Sequence, residues 1–98
     1  MNKDIREMRL LIAPADLQWF KDNFPSFKWE SGDTTIKWNA NDPDEVKMAR
    51  QAFDAYKKKH PKARAFKVKK NDEKDTTSID KFDPNAEMII MQEFTVKG

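Results

Sequence analysis

The 98-residue sequence lacks cysteine and contains one histidine and two glycines. Without cysteine the chain has no disulfide, no thiolate nucleophile and no cysteine-based zinc site, and one histidine cannot form a histidine cluster. Two glycines are too few for most of the glycine-rich loops that cradle phosphates or expose a nucleophile. We therefore expect a protein that is not an enzyme and has no catalytic residue, no metal site and no cofactor.

Long apolar runs are also missing from the sequence. No run approaches the roughly 18 residues of a membrane span, and the longest one, residues 10–15, is interrupted by Pro14. The N-terminus places Asp4 and Glu7 beside its basic residues and has only a very short apolar run, which is not typical of a secretory signal. These absences predict a chain that has no membrane segment and is made in a cytosol.

What the sequence does contain is charge and aromatic residues. Charged residues make up 37% of the chain and hydrophobic residues 38%, with a mean hydropathy of −0.95. That balance would indicate disorder if the apolar positions were scattered. The apolar positions follow helix and strand periodicities instead, and a chain of this length forms one core. We expect a single folded domain over residues 1–98.

The sharpest local signal predicts a main helix over residues 43–59. Asp42 can cap this helix, Pro43 suits its first position and Glu45 stands three residues after the cap. Apolar residues then recur at spacings of three and four, which predicts a buried stripe. The stripe consists of Val46, Ala49, Phe53 and Tyr56.

Two short segments upstream of this helix alternate with period two. Residues 27–30 and 34–38 flank a short turn, which predicts a hairpin with Trp29 opposite Ile36. Ahead of them, apolar residues at helical spacing predict a short helix within residues 15–24, and residues 9–13 could form a short strand that leads into it.

Downstream of the main helix, residues 63–70 alternate and predict a strand whose Phe66 and Val68 face the core. The polar residues 71–78 are typical of a loop. Residues 86–96 predict a second strand, and its run of four contiguous apolar residues indicates that both of its faces are covered. We therefore place this last strand at the centre of the sheet.

Together these elements predict an α+β fold. A small antiparallel or mixed β-sheet of about four to five strands would pack against the helix over residues 43–59, with a short N-terminal helix beside it. The strands at 34–39 and 63–70 would form a right-handed crossover around that helix if they lie parallel.

Two groups of residues are the remaining candidates for hydrolysis or for cation binding. His60, the single imidazole, stands before Pro61 and is interpreted as a helix-end residue. A small hydrolase would need a cleft that joins His60 to carboxylates. The carboxylates Asp80, Asp83 and Glu87 could converge on a hard cation, but no spacing of a calcium loop accompanies them.

The charge of the chain is concentrated in one segment. Residues 57–70 carry eight cations and no acid, whereas the residues on either side carry an excess of acids. The cations are Lys57, Lys58, Lys59, Lys62, Arg64, Lys67, Lys69 and Lys70. This basic segment could bind the phosphates of a nucleic acid, with Phe66 as an aromatic residue between cations. It could equally be a helix end and strand face that pairs with the chain's own acids, with Phe66 buried in the core.

A protein-binding surface is the other candidate site. Trp29 and Trp38 fit the predicted core, whereas Trp19 lies about 100° from Phe20 around the short helix and is expected to be partly exposed. Tryptophan is enriched where proteins contact each other. The predicted protein-binding residues are Trp19, Lys28 and Lys37, to be tested together with Lys67 and Lys69.

Several motifs occur in a characteristic order along the chain. They are Trp19-Phe20, Asn23-Phe24-Pro25, Gly32-Asp33 with Ile36 and Trp38, Asp42-Pro43 to Phe53, Ala65-Phe66-Lys67-Val68, and Phe82-Asp83-Pro84-Asn85-Ala86-Glu87 with Ile89. In this order they resemble small uncharacterised proteins encoded by tailed bacteriophages. The most specific motif is Phe-Asp-Pro-x-Ala-Glu-x-Ile near the C-terminus. Residues 91–98 depart from the family's usual ending, which contains a proline and two glycines.

The resemblance implies a phage origin and no catalytic residue. We therefore expect a non-enzymatic bacteriophage protein that acts through protein–protein contact, as a virion component or as a modulator of a host machine. Its partner would be a host or virion protein, and its location the host cytoplasm or the virion. The alternative is a nucleic-acid-binding accessory protein that uses the basic segment, residues 57–70.

Overall fold

The chain folds as an α+β protein in which one mixed sheet of five strands packs against two helices. The computed structural model describes residues 3–69 and 72–93. Its elements, in chain order, are β1 (Ile5–Ile12), α1 (Leu17–Asn23), β2 (Gly32–Asn39), α2 (Pro43–Lys59), β3 (Ala63–Lys69), β4 (Asp72–Ile79) and β5 (Met88–Glu93). The predicted fold class, main helix and short N-terminal helix are confirmed.

The strands lie in the order β2-β1-β5-β3-β4. β1 and β5 run parallel, and the other three pairs of neighbours are antiparallel. β5 is therefore the central strand, as its contiguous apolar residues predicted. The prediction that both of its faces are covered is wrong, because the helices cover only the face of Ile89 and Met91, and Ile90 on the other face is half-buried. The predicted end of that strand, residues 94–96, lies outside the described residues.

Helix α2 follows the predicted cap and stripe. The Asp42 side chain accepts hydrogen bonds from the backbone N–H groups of Asp44 (2.9 Å) and Glu45 (3.4 Å). These bonds satisfy two of the backbone donors that a helix start leaves without an internal partner. The buried side of the helix consists of Ala49, Ala52, Phe53 and Tyr56.

The predicted hairpin is wrong. β2 begins at Gly32, whose φ of +88° suits glycine, and it pairs with β1, so that Ile36 lies opposite Met8. Residues 27–30 form no strand, because Trp29 is held against α1 instead. Its indole N–H donates to the carbonyl oxygen of Phe24 (2.8 Å), and its ring lies 4.7 Å from the ring of Phe20.

One prediction about the second half of the sheet is met and another is wrong. β2 and β3 run parallel, because β2 is antiparallel to β1, β3 is antiparallel to β5, and β1 and β5 run parallel. α2 therefore connects two parallel strands as the predicted crossover requires, with β1 and β5 lying between them. Residues 72–79 form the edge strand β4 rather than a loop. Polar residues are compatible with this strand because, among the described strands, β3 is its only neighbour.

The predicted orientation of β3 is reversed. Ala65 faces the core, whereas Phe66 is half-buried on the opposite face of the sheet. The cause is the pairing with β5, which sets Ala65 opposite Met91 and Phe66 opposite Ile90. Met91 belongs to the main core cluster, so its cross-strand partner must face the core as well.

The main core lies between the two helices and one face of the sheet. The residues of β1 show this face clearly, because Met8, Leu10 and Ile12 are at most 1% exposed and alternate with more exposed neighbours. The core residues of the other elements include Phe20, Trp29, Ile36, Trp38, Phe53, Tyr56, Ala65, Ile89 and Met91. Burial of Trp29 and Trp38 confirms the prediction for these two residues.

Candidate interaction surface

The candidate site is the face of the sheet opposite the helices, which we call the open face. Residues paired on neighbouring strands lie on the same face of a sheet, so the strand registers define its members. They are Ile5, Glu7, Arg9 and Leu11 on β1, Asp33, Thr35 and Lys37 on β2, Arg64, Phe66 and Val68 on β3, Thr76 and Ser78 on β4, and Met88, Ile90 and Gln92 on β5. Both helices pack against the other face, through the main core.

A strip of apolar side chains crosses the centre of the open face. Phe66 lies opposite Ile90 and both are half-buried, while Val68 lies opposite Met88 and both are buried. Neither Val68 nor Met88 belongs to the main core cluster. The open face therefore has an apolar centre of its own.

Exposed apolar residues and cations surround this strip. Leu11 is 51% exposed and Ile5 is 43% exposed, and both lie on the same face of the sheet as the apolar strip. Exposed apolar residues that share a face with a buried apolar strip are more informative than single ones. Arg9 is exposed between Thr35 and Ile90 in the same cross-strand row. Arg64, opposite Gln92, adds a second exposed guanidinium group. An apolar centre with polar and cationic neighbours is the usual anatomy of a protein-binding surface.

The outer edge of β2 adjoins the open face. Hydrogen-bonded pairs alternate along an antiparallel ladder, and the ladder of β1 and β2 continues into a bond from the Ala40 N–H to the carbonyl oxygen of Asp4 (2.8 Å). The even-numbered residues of β2 therefore bond to β1. Its odd-numbered residues, which include Asp33, Thr35 and Lys37, point their backbone N–H and C=O groups away from β1.

A cleft runs along this edge, and we call it the edge cleft. Its volume is about 500 Å³, and residues from both faces of β2 line it together with the segment 26–30. Lys28 and Lys37 both belong to the lining. Two of the three predicted protein-binding residues therefore line the same cleft. In the predicted hairpin, residues 27–30 would have paired with β2 and filled this cleft.

Trp19, the third predicted residue, lies on the helical side of the protein. It is 39% exposed, which confirms the expected partial exposure. Its ring lies 5.1 Å from the ring of Phe20, and the Lys59 Nζ lies 4.3 Å from its centre. Because Trp19 is on α1 and Lys37 is on the open face, the three residues do not form one surface.

The basic segment does not form one surface either. Three of its lysines contact polar groups of the chain itself: Lys57 donates to the Asp80 carbonyl oxygen (3.0 Å), Lys59 lies 3.9 Å from Asp16 and Lys67 lies 3.3 Å from Asp83. Lys58 and Lys62 are exposed at the end of α2 and in the following turn.

The remaining cations of the segment lie on or after β3. Arg64 is exposed on the open face, and Lys69 is exposed at the end of the strand. Lys70 lies outside the described residues. The cations of the basic segment thus lie at several separate places on the protein. Among its described cations, Arg64 is the one that the strand register places on the open face.

His60 caps the end of α2, where its backbone N–H donates to the carbonyl oxygen of Tyr56 (2.9 Å). Its side chain also contacts α1, because its Nε2 atom lies 3.0 Å from the carboxylate of Asp16. A cleft of about 390 Å³ beside His60 is also lined by Tyr56 and Ser31. The helix-end interpretation is confirmed, and the pair with Asp16 connects the start of α1 to the end of α2.

The carboxylates considered for a cation do not gather at one point. Asp83 is hydrogen-bonded to the Lys67 ammonium group (3.3 Å) and to the Asn85 backbone N–H (2.9 Å). Among residues 3–69 and 76–92, whose side chains the structure describes, no three His, Asp or Glu side chains are arranged to hold a metal ion.

Comparisons with known proteins find no match for this chain among family models, curated proteins or solved structures. The resemblance to phage proteins therefore remains a prediction. Neither helix of the described chain has the length and apolar character needed to cross a bilayer.

Sequence reasoning missed the exposed apolar residues of the open face, Ile5 and Leu11. The signal was present in β1, where Glu7, Arg9 and Leu11 alternate with Met8, Leu10 and Ile12. We predicted only residues 9–13 as a strand, which is too short a segment for its two faces to be told apart.

Proposed function

We propose that this is a non-enzymatic bacteriophage protein that acts through protein–protein contact on the open face. Its partner would be a virion protein or a component of a host machine, and the protein would work in the virion or in the host cytoplasm. The observation that carries the proposal is the exposure of Leu11 (51%) and Ile5 (43%) beside the apolar strip. Apolar residues grouped on a sheet face that the helices leave uncovered are typical of an interface.

The side chains of the open face also indicate the chemistry of the partner. Arg9 and Arg64 stand beside the central pair of Ile90 and Phe66, so a partner should present an apolar patch with carboxylates next to it. Among the side chains that the structure describes, the acids of the open face are Glu7 and Asp33, which lie on β1 and β2, away from Arg64. An acidic partner would therefore meet least repulsion towards β3.

The test is capture of partners from virion extracts and from a lysate of the infected host, with matched variants of the tagged protein. Leu11→Glu changes the open face, whereas Gln51→Glu places the same charge on the exposed side of α2. We expect a protein that the wild type and Gln51→Glu both retain and that Leu11→Glu loses.

A second pair of variants tests where the contact lies. Arg64→Glu should weaken capture of the same protein by roughly tenfold, because it replaces an attraction to carboxylates by repulsion. Trp19→Ala and the double variant Lys67→Ala/Lys69→Ala should leave it unchanged. Equal capture by Leu11→Glu and the wild type, or a loss caused by Trp19→Ala alone, would show that the open face is not the contact surface.

Binding of single-stranded nucleic acid is the second candidate function. The observation in its favour is the half-buried ring of Phe66 on a sheet face that also carries Arg9 and Arg64. Bases can stack on such a ring while arginines hold the phosphates. The whole basic segment is a weaker site, because Lys57, Lys59 and Lys67 contact groups of the chain itself.

Fluorescence anisotropy separates this function from protein contact. Labelled single- and double-stranded DNA and RNA are titrated with the protein over a range of salt concentrations. A nucleic-acid function requires binding at low salt that falls steeply as salt rises and that Arg9→Ala and Arg64→Ala weaken. If the protein binds none of these nucleic acids at low salt, the nucleic-acid function is wrong and protein contact is the proposal that is left.

A further inference from the structure

We propose that β2 pairs with β2 of a second copy of this chain, so that two five-stranded sheets join into one. β2 is an edge strand, and in the described chain it pairs only with β1. The odd-numbered residues point their backbone groups outward into the edge cleft. An edge strand with free backbone groups is a ready template for another strand.

The charges on β2 fit an antiparallel pair of identical strands. Asp33, Thr35 and Lys37 are three successive residues with outward backbone groups, and their side chains all lie on the open face. When a twofold axis passes beside Thr35, each Asp33 lies opposite Lys37 of the other copy, and the two Thr35 residues face each other. Opposite charges and paired threonines are favourable cross-strand neighbours.

The twofold symmetry decides between attraction and repulsion. A lysine on an edge strand commonly prevents such pairing, because identical strands then bring like charges together. Here the register about Thr35 places each lysine beside an aspartate, so the same residue stabilises the pair. Two copies related in this way form a closed dimer in which both partners use the same surface.

Such a dimer would also enlarge the open face. Because Asp33, Thr35 and Lys37 lie on that face, joining the two β2 strands brings the two open faces side by side on one continuous sheet. Dimerisation does not depend on what the open face binds, so the two proposals can fail separately.

The test measures the molar mass of the purified full chain in solution. Light scattering and sedimentation give this mass over a concentration series. The wild type should pass from monomer to dimer as its concentration rises. Asp33→Lys and Lys37→Asp should each raise the dissociation constant by about tenfold or more, because each replaces two opposite-charge pairs with two like-charge pairs.

Mixing the two charge variants gives the sharpest test. In the mixture, the Asp33→Lys chain carries lysine at both positions and the Lys37→Asp chain carries aspartate at both, so a mixed dimer regains two opposite-charge pairs. We expect a heterodimer where each variant alone is monomeric, and the double variant Asp33→Lys/Lys37→Asp should dimerise like the wild type.

Thr35→Pro tests the backbone part of the proposal. It removes an outward N–H group and leaves the ladder to β1 in place, so it should abolish the dimer, whereas Thr35→Ala should keep it. Circular dichroism checks that both variants are folded. If Thr35→Pro is not folded, the charge variants and their mixture test whether β2 forms the dimer contact. A wild type that stays monomeric at every concentration, or a dimer that the charge variants and their mixture leave unchanged, would overturn the proposal.

Discussion

The two faces of the sheet bury very different fractions of similar side chains. Leu10 and Leu11 are neighbours in β1, yet Leu10 is 1% exposed beneath the helices and Leu11 is 51% exposed on the open face. Burial of a leucine side chain stabilises a fold by about 1.5–3 kcal/mol. The covered face therefore supplies most of the free energy of folding, and the open face keeps apolar area that a partner can still bury.

The helices explain why only one face is covered. α2 has 17 residues and α1 has seven, and the core residues of both pack against the same side of the sheet. The strip on the open face buries Val68 and Met88 within the sheet itself. We infer that the covered face determines stability and that the open face is available for contact.

Removing an apolar side chain from the covered face should have the largest effect. Leu10→Ala leaves a cavity beneath the helices and should lower the free energy of unfolding by about 2–5 kcal/mol. Urea denaturation followed by circular dichroism measures this change. Leu11→Ala is the matched control and should lower the same quantity by about 1 kcal/mol or less, because half of this side chain is already exposed. Similar losses for both leucines would mean that the two faces do not differ in this way.

A smaller effect is expected at the start of α2, which holds the covered face in place. Asp42→Ala removes the acceptor for the N–H groups of Asp44 and Glu45 and should lower the free energy of unfolding by about 1 kcal/mol. Asp42→Asn keeps an oxygen acceptor and should recover most of the loss. If alanine and asparagine behave alike in the same denaturation experiment, the cap contributes little.

The smallest effect is expected at the exposed surface of the helices. Lys59→Ala removes the ammonium group that lies 4.3 Å from the centre of the Trp19 ring and should cost about 0.5 kcal/mol of stability. Lys58→Ala, at an exposed neighbouring position, is the control and should be neutral. A loss of several kcal/mol from Lys59→Ala would show that the contact between Lys59 and Trp19 contributes as much to the stability as a core residue does.

Local signals in the sequence were sufficient for α2 and for the position of β5. Asp42, Pro43 and the apolar stripe act within one helix, and the apolar run of β5 favours a strand that has a neighbouring strand on each side. The pairing of β1 with β2 joins residues that are far apart in the chain, such as Ile5 and Asn39. Such pairs leave no local pattern, so the local alternation around residues 27–38 was mistaken for a hairpin.

The orientation of β3 could not be read from β3 alone. Hydrophobicity favoured burial of Phe66 over Ala65, but the register with β5 sets Ala65 opposite Met91 and turns Phe66 to the open face. The candidate site was therefore predicted only in part. Lys37 and Arg64, both named as candidates from the sequence, are exposed on the open face, whereas Leu11 and Arg9 become visible only when both faces of β1 are known.

The most direct test of the difference between the faces is Leu11→Glu, measured in two ways on the same protein sample. We predict that the free energy of unfolding in urea stays within about 1 kcal/mol of the wild-type value, while the partner retained by the wild type and by Gln51→Glu is lost. A variant that keeps the partner, or that unfolds as easily as Leu10→Ala, would contradict the assignment of binding to the open face and of stability to the covered one.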